Sequence, residues 1–232
     1  MLNEIIHGDC LQVMRNMRDG SVNMILTDIP YGTVTRHGAE RAKYGNQLRK
    51  IDKGTADIVT FDTLDFAKEC ARISSGTIYV FCSLKQASDL YDFFLDHGDF
   101  MTRQCVWTKT NPSPSNGQHM WLSSIEHCIF AKRRKTKFNA YCKKANWEFP
   151  VGRSKVHPTE KPLKLFEYLL ESSTDKKDIV LDPCIGSGTT AIASLNTGRY
   201  FIGIEKEEQY HKIACERVKK WHEENEEGTY AN

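Results

Sequence analysis

The 232-residue chain has no run approaching the 18 or more apolar residues that a membrane span needs. Its first residues, MLNEIIHGDC, lack both a basic leader and an apolar stretch behind it, so the expected location is the cytoplasm. Eight cysteines are scattered with no C-x-x-C pair, which argues against a zinc centre or a disulfide scaffold and for reduced thiols. No metal site is expected. There is no internal repeat and no low-complexity tract. What is present, 40% hydrophobic and 27% charged residues, fits a soluble globular protein, and the length suffices for one large α/β domain or two small ones.

A strong net charge is also missing: the balance is only +2. The charge is unevenly placed, however. Residues 33–56 carry Arg36, Arg41, Lys43, Arg49, Lys50 and Lys53 against Glu40 and Asp52. Residues 131–155 carry nine basic residues, among them Lys132, Arg133, Arg134 and Lys135, against Glu148 alone. The rest of the chain is acidic. One such run is ordinarily a solvated face. Two runs, the second interleaved with Phe138, Tyr141, Trp147 and Phe149, point to a polyanionic partner.

Short apolar runs alternate with helical patterns, the signature of a doubly wound, mostly parallel sheet. Strands are expected at Glu4–His7, Met24–Thr27, Thr77–Phe81, Thr102–Trp107, Glu126–Ala131, Ile179–Leu181 and Tyr200–Ile204. Helices are expected at about 10–18, 62–74, 84–97, 162–173, 188–197 and 207–222, the fourth entered through Thr159 as a cap and Pro162 in its first turn. Residues 33–56 and 132–160 read as long loops.

From Asp178 the sequence DIVLDPCIGSGTTAIAS gives a strand ending in an acid, Asp182, a glycine turn Gly186-Ser187-Gly188, and a helix starting near Thr189. Unpaired N–H groups at such a helix start cradle anions. The next strand ends in Glu205, where doubly wound folds place an acid against a ribose. The third glycine of the dinucleotide fingerprint is absent, and only one helix follows Glu205. The missing strands must therefore come from the N-terminal part, in permuted order. Two early strands also lead into acids, Asp9 and Asp28, so four carboxylates would share one sheet edge.

DIPYG at Asp28–Gly32, HPTEKP at His157–Pro162 and DPCIGSGTT at Asp182–Thr190 resemble, in content and order, the permuted β class of S-adenosylmethionine (SAM)-dependent DNA amino-methyltransferases. GDC at Gly8–Cys10, VWTKTNP at Val106–Pro112 and IEHCIFAK at Ile125–Lys132 add lesser matches, so the resemblance spans nearly the whole chain. It implies a Rossmann-like single domain, 1–232, with a basic loop at 33–56 and a short DNA-recognition segment at 132–156 as insertions. It implies SAM as cofactor and duplex DNA as partner, with methyl transfer to adenine N6 after base flipping. The catalytic set is Asp28, Ile29, Pro30 and Tyr31: the carboxylate and the Ile29 carbonyl accept from the target amine, and Tyr31 stacks on the flipped base. Ile29 stands where the family usually has proline.

Asp9 and Cys10 are implied at the cofactor adenine, Glu205 at its ribose, Gly186–Gly188 at its methionine portion, and Thr159 and Lys161 at its carboxylate. Asp28, Asp182, Pro183, Cys184, Ser187, Thr189, Thr190 and Lys206 complete the implied cofactor pocket. Arg36, Arg41, Lys43, Lys132, Arg133, Arg134 and Lys135 are implied on DNA. Members of the class often pair as homodimers; whether a restriction nuclease is a partner is left open by the sequence. Cytosine N4 is the alternative target, and an RNA methyltransferase or a binding module without catalysis are more distant readings.

Overall fold

The computed structural model describes residues 2–31, 61–114, 117–152 and 160–227. Among them, eight strands form one sheet in the order β1-β8-β7-β2-β3-β5-β4-β6. The strands are β1 (Glu4–His7), β2 (Val22–Asp28), β3 (Ser74–Cys82), β4 (Phe100–Lys109), β5 (Ile125–Arg133), β6 (Asn146–Phe149), β7 (Ile179–Asp182) and β8 (Tyr200–Glu205). The helices are α1 (Cys10–Arg15), α2 (Thr63–Ile73), α3 (Leu84–Asp96), α4 (Leu163–Ser173), α5 (Thr189–Thr197) and α6 (Glu208–Glu227).

Every strand pair is parallel except those of β5, which runs against both β3 and β4. The two C-terminal strands β7 and β8 sit between β1 and β2, so the chain order is permuted within the sheet. The expected strands are present; β1, β7 and β8 match their expected ranges to within one residue, while β2, β3, β4 and β5 extend beyond theirs at both ends. The strand β6 was not expected: its four residues lie in the stretch 132–160 read as a loop. They pair with β4, burying Trp147 while Glu148 points outward.

The central strands are buried on both faces, which is why they read as continuous apolar runs. Alternation then divides the core. Ile25, Ile78, Val80 and Ile129 face Met14 of α1, Phe66 and Cys70 of α2, and Leu90 and Phe94 of α3. Met24, Leu26, Tyr79, Phe81, Trp107 and Trp147 face Leu165, Phe166 and Leu169 of α4 and Ala193 of α5. The helix α6 packs on β1 and α5. From β7 the chain crosses by α5 to β8 on one side, whereas from β2 it passes through α2 to β3 on the other. The order therefore reverses between β7 and β2, the position where open α/β sheets bind their ligands.

Candidate active site

Because β1, β8, β7 and β2 are adjacent and parallel, the acids that follow or end them meet at one sheet edge, with Asp182 and Asp28 on either side of the reversal. Their surroundings differ. Asp9 caps α1, accepting from the Gln12 N–H at 3.2 Å, and faces the Lys206 ammonium at 3.7 Å. Glu205 is buried and accepts from the Gly186 N–H at 2.9 Å and the Glu207 N–H at 2.8 Å. Burial raises its carboxyl above the usual range, opposed by those same N–H groups.

Asp182 is buried and spent inside the loop it precedes. It accepts from the Cys184 N–H at 3.1 Å and from the Thr190 hydroxyl of α5, tying the start and end of the glycine turn together. Burial pushes its pKa up to about 7. Gly186 (φ 54°) and Gly188 (φ 88°) both adopt the left-handed region. A Cβ on Gly188 would press on Ala214 at 3.2 Å, whereas the space in front of Gly186 is open. A polar ligand can thus approach the backbone there. Thr189 donates to Glu160 at 2.8 Å, and Glu160 also binds Arg217, whose guanidinium reaches the Ser187 carbonyl at 3.3 Å. Cys10 and Cys184 meet through their thiols. Pro183 follows Asp182 in the same turn.

The second half of the edge holds the Asp-Ile-Pro-Tyr turn. Its backbone is fixed twice: the Ile29 N–H donates to the Phe81 carbonyl at 3.1 Å, and Gln86 Nε2 donates to the Pro30 carbonyl at 2.9 Å. Gln86 is itself held by the capping box that starts α3 at Ser83. The Ile29 side chain is buried in the core. A proline there could not donate to Phe81, so this chain obtains by hydrogen bonding and burial the stiffness that a second ring would give.

Around Asp28 stand three groups. Lys161, with its side chain only 5% exposed, binds Asp28 Oδ2 and lies 3.0 Å from Glu126 Oε2 and 3.4 Å from the Tyr31 hydroxyl. Tyr31 donates to Glu126 Oε2 at 3.2 Å, and Lys109 meets Glu126 Oε1 at 2.9 Å. Asp28 Oδ1 is buried with no hydrogen-bond partner among the described residues. Burial raises the Asp28 carboxyl while Lys161 pulls it down, leaving it above its usual value. Burial also raises Glu126, but Lys161 and Lys109 bring that carboxyl below its usual value. The Tyr31 phenol is pushed well up by burial and by Asp28.

A model of a family described as DNA methylase, covering the N6 and N4 enzymes, matches residues 22–216. The chain belongs to the N6/N4 DNA methylase family. Its relatives include the Type II methyltransferases M2.LlaDCHI of Lactococcus lactis subsp. cremoris and M2.DpnII of Streptococcus pneumoniae, each 29% identical. The matches cover 93% of this chain and 89% of the first, and 95% of this chain and 91% of the second. The crystal structure of the M1.HpyAVI–SAM complex is 28% identical with a TM-score of 0.68, covering 93% of this chain and 98% of that one. The cytosine-N4-specific PvuII DNA methyltransferase, at 15% identity and a TM-score of 0.69 over 94% of this chain and 90% of that one, shares the fold. SAM is the cofactor of this methylase, and the open space at Gly186 beside the Glu205 carboxylate fits it.

The methylase's other expected residues divide by position. Arg36, Arg41, Lys43 and Thr159 lie outside the described residues. Lys132, Arg133, Arg134 and Lys135 lie at the end of β5 and just beyond it. Because β5 runs against its neighbours, that end is at the edge opposite Asp28, about 24 Å along the strand from Glu126. Lys132 is buried, donating to the carbonyls of Arg133 at 3.1 Å and Thr136 at 2.6 Å. The Arg133 guanidinium donates to the carbonyls of Ser74 at 2.8 Å and Ala71 at 2.5 Å and packs over Phe100. Arg134 donates to Gly98 O at 3.1 Å. These are tethers of the sheet's far end, and the expected phosphate contact does not fit Lys132 or Arg133. Pro162, expected within the first turn of α4, is its N-cap and makes no side-chain cap bond.

Glu126, Lys109, Gln86, Glu160 and Arg217 were not expected at the site. Glu126 carried one signal, an acid inside the IEHCIFAK match, but nothing in sequence says that an antiparallel β5 starts at the edge of Asp28.

Proposed function

We propose that this protein transfers the SAM methyl group to adenine N6 in duplex DNA, within a short recognition site and on a base flipped out of the stack. The observation that carries the reading is Asp28. It is an ionisable acceptor at the end of β2, its side chain 30% exposed, beside a doubly fixed Ile29-Pro30 backbone and an aromatic ring.

An exocyclic amine is a poor nucleophile because its lone pair is delocalised into the ring. Accepting its two N–H groups, one at Asp28 and one at the Ile29 carbonyl, frees the lone pair to turn toward the donor. The bound SAM supplies an electrophilic sulfonium methyl. Glu205 would accept from the ribose hydroxyls, and the N–H groups of the 186–188 turn would border the methionine portion. Tyr31, its hydroxyl tied to Glu126, would present its ring to the flipped base. Holding amine and methyl in line contributes the rest of the rate.

An Asp at the first motif position goes mostly with adenine in the family, which favours N6 over cytosine N4. The Type II naming of the relatives supports a restriction nuclease as partner, and homodimer formation is carried over as an expectation. No described helix is long and apolar enough to cross a membrane, in keeping with cytoplasmic work on DNA.

The test is tritiated-methyl transfer from SAM to defined duplexes, followed by nucleoside analysis of the digest. N6-methyladenine is the expected product, and Asp28→Ala should abolish it while SAM affinity stays within a few-fold. A digest holding N4-methylcytosine alone would overturn the base assignment. Label entering RNA but no duplex would overturn the substrate, and full activity in the Asp28 variant would undo the mechanism.

A further inference from the structure

Lys161 belongs to the HPTEKP motif, whose resemblance to the family implies a lysine at the cofactor carboxylate. The geometry points elsewhere: we infer that Lys161, seated on Glu126, is the positioning residue for Asp28 and the device that keeps that half-buried carboxylate ionised. The inference rests on the proposed methyl transfer at Asp28 and deepens it.

A lysine ammonium has three donors and no acceptor. At Lys161 all three have partners inside the catalytic cluster: Asp28 Oδ2, Glu126 Oε2 at 3.0 Å and the Tyr31 hydroxyl at 3.4 Å. None is left for a cofactor carboxylate, and the side chain is only 5% exposed. The stem is confined as well, with the ammonium 5.5 Å from the ring centroids of both Tyr31 and Phe81. Glu126 sets this arrangement. One of its oxygens takes Lys161 and Tyr31, the other takes Lys109. Four charges of alternating sign, Lys109, Glu126, Lys161 and Asp28, thus run from the end of β4 through the start of β5 to the end of β2.

The chemistry needs this. Only the ionised carboxylate accepts an amine N–H with full strength, and burial favours the neutral acid. Asp28 is already held above its usual value by burial, with Lys161 as the main opposing influence. The ammonium is safe in that role, because Asp28 and Glu126 outweigh the burial that would strip its proton. Lys161 also occupies only one carboxylate oxygen; the other, Oδ1, is buried and has no hydrogen-bond partner among the described residues.

Removing the cation should therefore move the acidic limb of activity and not the cofactor. The experiment compares wild type with Lys161→Met by single-turnover methyl transfer across pH, and by calorimetric SAM binding. Expected is a rate loss several-fold greater at about pH 6 than at about pH 9, as the carboxylate regains its charge in alkali. SAM affinity should stay within about threefold, less than one direct charged contact contributes. A large loss of SAM affinity with an unmoved pH profile would overturn the inference and return Lys161 to the cofactor.

Removing one member of a buried ion pair can unfold a protein. The double variant Lys161→Met/Glu126→Gln removes the cation together with its second carboxylate. Lys161 touches Asp28 directly while Glu126 acts at one remove, so the double variant shifts in the same direction. An acidic limb that stays in place in the folded double variant also overturns the inference. An inactive wild type would instead count against the proposed reaction, which separates the two failures.

Discussion

At the scale of single residues, the four acids of the sheet edge are chemically distinct although their strand contexts look alike. Asp9 is a helix cap, Asp182 a loop brace, Asp28 an ion-paired acceptor and Glu205 a carboxylate held by backbone N–H groups. Sequence reading could bring them to one edge because parallel strands end on one side. It could not assign these duties, which depend on hydrogen bonds from residues far along the chain. Ile29 shows the reverse. It reads as a departure from the family, yet it keeps the acceptor carbonyl and adds an N–H bond to Phe81. Glu205 is the residue to test for the cofactor. Glu205→Ala should weaken SAM binding by about 1.5–3 kcal/mol, the scale of hydrogen bonds to a charged group. Isothermal calorimetry checks this, and an unchanged affinity would remove Glu205 from the site.

At the scale of elements, the short strands β1, β7 and β8 were legible nearly to the residue, whereas β2, β3, β4 and β5 extend beyond their apolar centres into polar or charged residues. The strand β5 continues through Lys132 and Arg133 because both cations fold back onto local carbonyls instead of extending into water. The helix α6 runs past residue 222 to Glu227, supported by Lys219–Glu223 and Lys220–Glu224 pairs at i,i+4 spacing. The four residues of β6 gave too short an alternation to stand out from the basic stretch before them.

The glycine turn was legible as a motif, but its dependence on Asp182 was not. An acid whose folded pKa is raised, here from 3.8 to about 7, favours the fold only while protonated. The unfolded chain releases that proton above about pH 4, so the Asp182 contribution falls as pH rises to about 7 and is level beyond. Asp182→Asn keeps an acceptor for the Cys184 N–H and turns an amide donor toward the Thr190 hydroxyl, which can rotate to accept. Chemical denaturation of both proteins between about pH 4 and 8 checks it. The stability of wild type relative to the variant should decline across that interval, and a constant difference would mean that Asp182 is ionised throughout.

At the scale of the whole molecule, one strand direction decides which basic residues share the edge of Asp28. The mostly parallel order was legible from alternating strand and helix patterns, and the permuted order agrees with the expectation. The reversal of β5 left no mark, since an apolar strand reads alike in both directions. Its consequence is large. It opens at Ile125, places Glu126 beside Lys161 and carries the run Lys132–Lys135 to the opposite edge. A duplex whose base enters at Asp28 meets the catalytic edge, on which the ends of β2, β3 and β4 open. Arg134 and Lys135 are exposed, and their replacement disturbs no buried group. Arg134→Gln/Lys135→Gln should therefore leave DNA affinity and its salt dependence as in wild type. Arg133→Ala should instead cost stability of about 1–3 kcal/mol, because the carbonyls of Ser74 and Ala71 lose their donor. Equilibrium DNA binding across a salt series and urea denaturation check the two halves. A slope that drops by about 0.9 per lost phosphate contact in the double variant would place DNA on the far edge and reverse this orientation.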